Sequence, residues 1–187
     1  NETDKWVIRK INNVYPFLMD IIPETILTNN TTRRMFFFTV IEIFSTFDFY
    51  NRNNIIRTFP HIVYIGNQNQ CFSDALRFYM KTGEVQVTPK TLDALMEHIS
   101  TTTKQPISNS DSILLFFDLT IPENDHFYNN RVIVDLLKVL YISMTYRHNC
   151  IIKIGNFIYK PLIDILYSLS SIYNFFYISK PSVVENI

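Results

Sequence analysis

The chain has 187 residues, 17 basic and 17 acidic side chains, and a hydrophobic fraction of 47%. This composition is typical of a globular protein and excludes a disordered one, and the zero formal charge gives no global signal for nucleic acid. Two cysteines exclude a disulfide framework and a metal-binding cysteine cluster. Because no apolar run reaches the roughly eighteen residues needed to cross a bilayer and no secretory leader is present, we expect a cytoplasmic protein without a membrane segment.

The N-terminal region predicts helices. Residues 5–27 have apolar positions at helical spacing around two prolines, which indicates one or two short helices and a helical extension over 1–30. Residues 33–50 are apolar over most of their length and predict a buried helix, with a strand as the alternative because Phe, Thr, Val and Ile favour strands. The chain begins at Asn1 and stops within an apolar stretch, so we interpret it as a segment of a larger protein or polyprotein.

The middle of the chain alternates strands with helices. The stretch "HIVYIG" at 61–66 predicts a strand, and 72–83 predicts a helix closed by Gly83. The stretch "EVQV" indicates a short strand. Residues 88–100 predict a helix with Thr88 as its N-cap and Pro89 at its first position.

The remaining elements continue this alternation. Strands are predicted at 112–120, 150–155 and 174–181, and helices at 130–147 and 159–173. Apolar strands that alternate with helices of ten or more residues are typical of a parallel sheet covered on both faces. With right-handed crossovers, the prediction for 31–187 is a doubly wound, mostly parallel α/β domain of the Rossmann-like class.

Polar or small residues follow the predicted strands, at the edge where such sheets bind ligands. The first three strands lead to Gly66, Asp118 and Lys153, and the fourth to Lys180. Lys153 has apolar neighbours on both sides, so it needs an anionic partner or a shift toward its neutral form. Asp118 follows the apolar stretch "ILLFF", so its carboxylate likewise needs a cationic partner or a shift toward its neutral form. We therefore predict an Asp118–Lys153 pair across adjacent strands.

Local charge also varies along the chain. The stretch 136–163 has four cations and no acidic residue, and Lys160 is the last of these cations. A solvated basic helix face is the ordinary explanation of such a stretch, and a modest surface for phosphate groups is the functional one. The Walker A pattern G-x-x-x-x-G-K-[ST] and the nucleophile-elbow pattern G-x-S-x-G are both absent, which disfavours a phosphate-transfer enzyme and a hydrolase of those types.

The order of these elements resembles the FtsJ-type RNA 2'-O-methyltransferases, which include viral mRNA cap methyltransferases. The stretch "RRMFFFTVIEI" is similar to the entry helix of that family, and "IVYIGNQNQCFSD" is similar to its S-adenosylmethionine loop. The stretches "SILLFFDLT", "CIIKIG" and "FFYISKP" are similar to the strands that precede its catalytic Asp, Lys and Glu. The similarity extends over residues 30–187, and the order and spacing of the motifs are its strongest part.

The resemblance implies a role for several residues. Asp118, Lys153 and Glu185 correspond to three members of a Lys-Asp-Lys-Glu set, in which the central lysine takes a proton from a ribose 2'-hydroxyl. The implied residues for S-adenosylmethionine are Gly66, Asn67, Gln68 and Asp118. The candidates for contacting RNA are Arg33, Arg34, Lys160 and Lys180.

The chain departs from the family pattern at three places. The first catalytic lysine falls on Thr39, which has no charge. The two later loop glycines are replaced by Gln70 and Cys71, and glycines there would allow positive φ and a close approach of the backbone to the ligand. The second strand also lacks the terminal acidic residue that would hold ribose hydroxyls.

Three hypotheses remain open from the sequence. The first is a methyltransferase-like domain with impaired or lost catalysis that binds RNA or supports a catalytic partner in RNA capping. The second is an active, divergent S-adenosylmethionine-dependent 2'-O-methyltransferase that uses Asp118, Lys153 and Glu185. The third is an unrelated α/β interaction module. The first hypothesis accounts best for retained strand ends beside missing loop glycines.

Overall fold

A computed structural model describes residues 7–8, 31–47, 61–80, 86–101, 113–119, 128–146, 148–155 and 159–179. The helices are α1 (Thr31–Thr46), α2 (Asn69–Met80), α3 (Leu92–Thr101), α4 (Tyr128–Tyr146) and α5 (Lys160–Ile172). The strands are β1 (Val7–Ile8), β2 (His61–Ile65), β3 (Gln86–Lys90), β4 (Ile113–Asp118), β5 (Asn149–Lys153) and β6 (Tyr177–Ile178). The predicted alternation of strands and helices is confirmed over 61–172.

Four of the strands form a parallel sheet in the order β3-β2-β4-β5. The chain first passes from β2 to its neighbour on one side and then crosses back to β4 on the other side. The strand order therefore reverses at β2 and β4, and the carboxyl ends of these two strands form a topological switch point. Ile65 pairs with Phe117, and Asp118 pairs with Lys153, so the residues at the strand ends lie level with one another. The predicted parallel α/β sheet is confirmed.

One face of this sheet packs against three helices. Ile65, Leu115 and Phe117 point to this face and join a buried cluster with side chains of α3, α4 and α5. The helical members have the 3.6-residue spacing of an amphipathic face, as in Val132, Leu136 and Val139 on α4. Burial of these apolar side chains is the main favourable contribution to the stability of this layer.

The chain divides into two compact units. One contains the four-stranded sheet with α3, α4 and α5, and the other contains α1, α2 and the β1–β6 pair. In the second unit α1 packs against α2 through aromatic side chains, with Phe37 and Phe78 rings 5.7 Å apart and Phe44 and Phe72 rings 6.4 Å apart. The predicted boundary at residue 30 stays a prediction.

Helix α1 confirms the predicted helix and makes the strand alternative for 33–50 wrong. Residues 36–44 are all buried, so the helix is enclosed around its whole circumference, and its mostly apolar sequence shows little helical periodicity. Helix α2 begins at Asn69, three residues earlier than predicted. Gly83, the predicted end of this helix, lies outside the described residues.

The predicted start of α3 is wrong. Thr88 and Pro89 lie within strand β3, which extends over Gln86–Lys90, and the helix begins at Leu92. Its N-cap is Thr91, whose hydroxyl oxygen accepts a hydrogen bond of 3.1 Å from the Ala94 amide. Among the described strands β3 pairs only with β2, and an edge strand tolerates a proline because one side of its backbone has no neighbour.

The fourth predicted strand is shorter than expected and belongs to a different sheet. Within 174–179 only Tyr177–Ile178 is extended as a strand, and it pairs in parallel with Val7–Ile8 instead of continuing the four-stranded sheet. Phe175 is 78% exposed and does not contribute to a strand. The strand at residues 7–8 also corrects the helix predicted there; the rest of 5–27 lies outside the described residues.

Among the helices in the described part of the chain, none has both the length and the apolar character needed to span a membrane.

Candidate functional site

The carboxyl ends of β2, β4 and β5 place three predicted residues at one edge of the sheet. The strand register puts Gly66 beside Asp118, and Asp118 beside Lys153. Alternate residues of a strand point to the same face, so these residues share a face with Tyr64 two residues before Gly66. This face is opposite to the one that packs against α3, α4 and α5.

The carboxylate of Asp118 is the centre of this edge. Lys153 Nζ donates a hydrogen bond of 2.9 Å to Oδ1, and the Tyr64 hydroxyl donates one of 3.2 Å to Oδ2. The Asp118 side chain is 4% exposed and the Lys153 side chain is 18% exposed. The predicted pair across adjacent strands is therefore present, and a third strand contributes a phenol to it.

Because the Asp118–Lys153 pair is shielded from water, its hydrogen bonds must replace the hydration that the charged groups lose. A buried carboxylate without donors loses its hydration at a large cost, and hydrogen bonds to a charged group are stronger than bonds between neutral groups. Both carboxylate oxygens of Asp118 have such a donor. The Leu119 amide also donates to the Lys153 carbonyl at 2.9 Å, which continues the link between β4 and β5 one residue beyond Asp118. The result is a polar cross-link at the ends of three neighbouring strands.

Gly66 is needed at this edge for steric reasons. A Cβ atom at residue 66 would lie 2.6 Å from the Tyr64 hydroxyl oxygen and 2.8 Å from Asp118 Cβ. Both separations are shorter than van der Waals contact, so a larger residue would displace the phenol or the aspartate. The close approach of the Tyr64 hydroxyl accounts for this glycine without a ligand.

The turn after β2 is shorter than the predicted cofactor loop. Only Gly66, Asn67 and Gln68 separate the strand from α2, and the Gln68 carbonyl accepts a hydrogen bond of 2.9 Å from the Phe72 amide. Gln70 and Cys71, at the positions of the family's later glycines, lie in the first turn of the helix. Both residues therefore have a helical backbone, which suits Gln and Cys and does not require glycine.

Position 39 belongs to the core of the other unit. Thr39 is 1% exposed, and its hydroxyl donates a hydrogen bond of 2.8 Å to the Met35 carbonyl one turn earlier in α1. Glu42 on the same helix is 5% exposed. Thr39 is thus a packed residue and not a substitute for a charged catalytic group. Arg33 and Arg34 lie in the first turn of this helix.

The three lysines of 136–163 are paired with carboxylates from outside that stretch. Lys138 Nζ lies 2.6 Å from Asp93 Oδ1 and 3.8 Å from Asp135 Oδ1. Lys153 pairs with Asp118, and Lys160 Nζ lies 2.8 Å from Asp164 Oδ2. The bond to Asp93 raises the pKa of Lys138, and burial raises the pKa of Asp135 although Lys138 opposes this effect.

Carboxylates outside the stretch therefore balance its three lysines, and the surface for phosphate groups stays a prediction. His148, another member of the stretch, is 3% exposed and stacks on Tyr146 with ring centroids 5.5 Å apart. Lys160 is much more exposed than the other two lysines. Its side chain is 84% exposed and its partner Asp164 is 61% exposed, so this pair is weak and can exchange with another anion.

Two candidates lie outside the described residues, namely Lys180 and Glu185. Tyr64 is the residue that sequence reasoning missed. Its signal was the two-residue spacing from Gly66, which puts a phenol and a glycine on the same face of one strand. That signal becomes informative only when the neighbouring strand is known to be β4, because the phenol's acceptor is 54 residues away.

A second, partly buried polar cluster lies on the opposite side of the sheet. The Cys150 thiol donates a hydrogen bond of 3.3 Å to the Tyr173 hydroxyl, and the Ser143 hydroxyl lies beside both. Burial raises the pKa of Cys150 to about 11, although Tyr173 and Ser143 oppose this. Burial, with the nearby Cys150, also raises the pKa of Tyr173. The thiol therefore stays protonated at neutral pH, which makes it a weak nucleophile.

Comparison with protein-family models, curated proteins and solved structures finds no match to this chain.

Proposed function

We propose that the chain is a methyltransferase-like domain that has lost ordinary S-adenosylmethionine-dependent catalysis and serves RNA binding or the support of a catalytic partner in RNA capping. The engagement of Asp118 carries this proposal. Both of its oxygens have donors within the chain, and its side chain is 4% exposed. An ionised carboxylate can accept about four hydrogen bonds, but one that is so shielded from solvent gives a cofactor or a ribose hydroxyl little access.

The strand order supports the fold half of the proposal. The β2–β3 and β3–β4 connections run in opposite directions across the sheet, and right-handed crossovers then pass over opposite faces. We infer a doubly wound sheet from this rule. Its switch point coincides with the Gly66–Asp118 edge, where open α/β sheets bind their ligands.

The short turn supports the loss of the cofactor. Three residues join β2 to α2, and the first helical turn has Gln70 and Cys71 at the positions of two family glycines. Side chains there restrict the approach of a ligand to the backbone amides. Strand β3 ends at Lys90, so the acidic residue that would hold ribose hydroxyls is absent from that strand end as well.

Calorimetric titration with S-adenosylmethionine tests the proposal directly. We expect no binding heat at cofactor concentrations in the physiological range. A micromolar dissociation constant would contradict the proposal and would favour the second candidate function below.

The RNA half of the proposal is tested separately. Lys160→Ala should weaken the binding of a short capped RNA and reduce the salt dependence of that binding by about one unit of slope. Arg77→Ala is the matched control, since Arg77 is similarly exposed at 78% and pairs with Asp74 one helical turn away. Equal effects of both changes would show only general charge attraction.

The intact Asp118–Lys153 pair favours a second candidate function, an active but divergent 2'-O-methyltransferase. In this candidate Lys153 takes the proton of the ribose hydroxyl, and Glu185 and Asp118 act as its acidic partners. Lys153→Ala should then abolish methyl transfer to capped RNA while the circular dichroism spectrum is unchanged. Turnover that is undiminished in this variant would reject the assignment of Lys153.

A further inference from the structure

Lys90 is the last residue of β3 and lies at the same edge of the sheet as Gly66, Asp118 and Lys153. The strand register places it level with Ile65, the last residue of β2. Paired residues of neighbouring parallel strands point to the same face, so Lys90 shares the face of Ile65, and Asp118 and Lys153 share the other face. The two lysines therefore lie on either side of the switch point between β2 and β4.

Lys90 differs from the other described lysines because it has no carboxylate partner. Lys138, Lys153 and Lys160 each lie within ion-pair distance of an aspartate. Among the described residues, no acid lies that close to Lys90, although its side chain is partly buried. Asp93, the nearest described acid along the chain, accepts a hydrogen bond of 2.6 Å from Lys138 instead. A partly buried cation in this state gains most from an anion that is supplied from outside the chain.

The strand ends consequently have an excess of positive charge. Asp118 and Lys153 balance each other through the hydrogen bond of 2.9 Å, and Ile65 and Gly66 at the end of β2 have no charge. The charge of Lys90 is therefore the uncompensated one among the described ends of the four strands. A cleft with one sign of charge raises the local concentration of ligands of the opposite sign.

The place of Lys90 in the fold indicates which anion this edge suits. In dinucleotide-binding sheets an acidic residue about twenty residues after the glycine turn bonds the ribose hydroxyls, and a basic residue accommodates a phosphate group on the ribose. Strand β3 follows Gly66 and α2 at about that spacing, and it ends in a lysine. The residue type at this strand end thus favours a phosphorylated ribose over a ribose with free hydroxyls.

We propose that Lys90 contributes to a binding site for the ribose phosphate of a nucleotide at the switch point, where its ammonium group pairs with the phosphate oxygens. A charged donor and a charged acceptor form the stronger class of hydrogen bond. The proposal depends on the strand order and on Lys90, and it is independent of whether the chain binds S-adenosylmethionine. A ribose phosphate occurs both in a free mononucleotide and in an RNA strand, so the test separates these two sources.

Calorimetric titration with adenosine 2'-phosphate and adenosine 3'-phosphate tests the site, and adenosine is the unphosphorylated control. We expect at least one phosphate to bind about ten- to a hundred-fold more tightly than adenosine, because a hydrogen bond between charged groups has about this effect on an affinity. Equal affinities for adenosine and both phosphates would overturn the proposal. The absence of binding heat for both phosphates at millimolar concentration would also overturn it.

Substitution of Lys90 tests the residue. Lys90→Gln should weaken phosphate binding about ten- to a hundred-fold, and Lys90→Arg should retain it because the charge is kept. Arg77→Gln is the matched control, since Arg77 is 78% exposed in the last turn of α2, and it should leave the affinity unchanged. All three variants should keep the circular dichroism spectrum of the parent chain. An unchanged affinity in Lys90→Gln, or an equal loss in Arg77→Gln, would reject the assignment of Lys90.

Competition with a short RNA identifies the source of the phosphate. Displacement of the bound adenosine phosphate by the RNA would support an RNA strand as the ligand. Retention of the adenosine phosphate would support a free mononucleotide, and it would count against the RNA half of the proposed function without affecting the phosphate site.

Discussion

The contact between Tyr64, Gly66 and Asp118 shows how one hydroxyl group determines its neighbours. The phenol donates to Asp118 Oδ2 and fills the space that a side chain at residue 66 would need. The sequence analysis interpreted Gly66 as the start of a ligand-binding turn. In the folded chain, the phenol on the same strand is sufficient to explain the glycine, so this residue gives little support for a cofactor.

Gly66→Ala is expected to destabilise the fold by about 1–3 kcal/mol, because the new methyl group overlaps the Tyr64 hydroxyl and Asp118 Cβ. Tyr64→Phe should cost about 1.5–3 kcal/mol, because it removes a hydrogen bond to a charged group. The loss in free energy of unfolding should be smaller in the double variant than the sum of the two single losses, since the phenylalanine relieves part of the overlap. Urea denaturation of the four proteins measures this coupling.

Tyr79→Phe is the matched control for that coupling, because it removes a hydroxyl that donates to the Phe44 carbonyl at 3.2 Å in the other unit. Its effect should add to that of Gly66→Ala. Full additivity of Gly66→Ala with Tyr64→Phe would show that the phenol is not the group that excludes a side chain at residue 66.

Cys150 gives a prediction about alkaline pH. Burial raises its pKa from 9.0 to about 11. Between these two values the folded protein keeps the thiol proton and the unfolded chain releases it, so the free energy of unfolding falls as the pH rises. This group can contribute at most about 1.4 kcal/mol per pH unit in that window.

Comparison of the parent chain with Cys150→Ala isolates this contribution. The difference between their free energies of unfolding should be constant below pH 9.0 and should change progressively up to about pH 11. Native-state alkylation at the lower end of this window should also spare Cys150. A difference that does not vary with pH would mean that the thiol is not held in its protonated form.

Helix boundaries illustrate the element scale. Pro89 was interpreted as the first residue of a helix, because proline favours that position. In the structure it lies in the edge strand β3. Thr91 then took the capping role that had been assigned to Thr88. Both threonines precede an amphipathic segment, and only the pairing of residues 86–90 with β2 decides which of them begins the helix.

Thr91→Ala should destabilise α3 by about 1 kcal/mol, because the Ala94 amide loses its acceptor. Hydrogen exchange measures the effect locally, and the Ala94 amide should exchange faster in this variant. Thr88→Ala is the control, since Thr88 lies in β3 and should leave the exchange of the Ala94 amide unchanged. A faster exchange in Thr88→Ala alone would restore the earlier assignment of the N-cap.

Strand order belongs to the scale of the whole molecule. The order β3-β2-β4-β5 creates the switch point at the carboxyl ends of β2 and β4. This feature supports the methyltransferase-like proposal, because open α/β sheets bind their ligands at such a point.

Much of the fold and part of the site could be predicted from the sequence alone. The apolar runs at 61–65 and 113–118 define strands, and the periodic segments at 128–146 and 160–172 define helices, because local burial patterns follow backbone geometry. The Asp118–Lys153 pair was also predictable, since two opposite charges in apolar strands need each other. These features depend on residues that are close in sequence or on a general requirement of charge.

The tertiary structure decided the rest. It showed that Tyr64 donates a hydrogen bond to Asp118 and that the Tyr64 hydroxyl leaves no space for a side chain at residue 66. It also showed that acids outside 136–163 pair with the lysines of that stretch. It also made Thr91 the cap and placed Tyr177–Ile178 beside Val7–Ile8. Each of these contacts joins residues whose proximity, or whose choice between alternatives, depends on strand pairing and packing. Local sequence patterns do not encode that information.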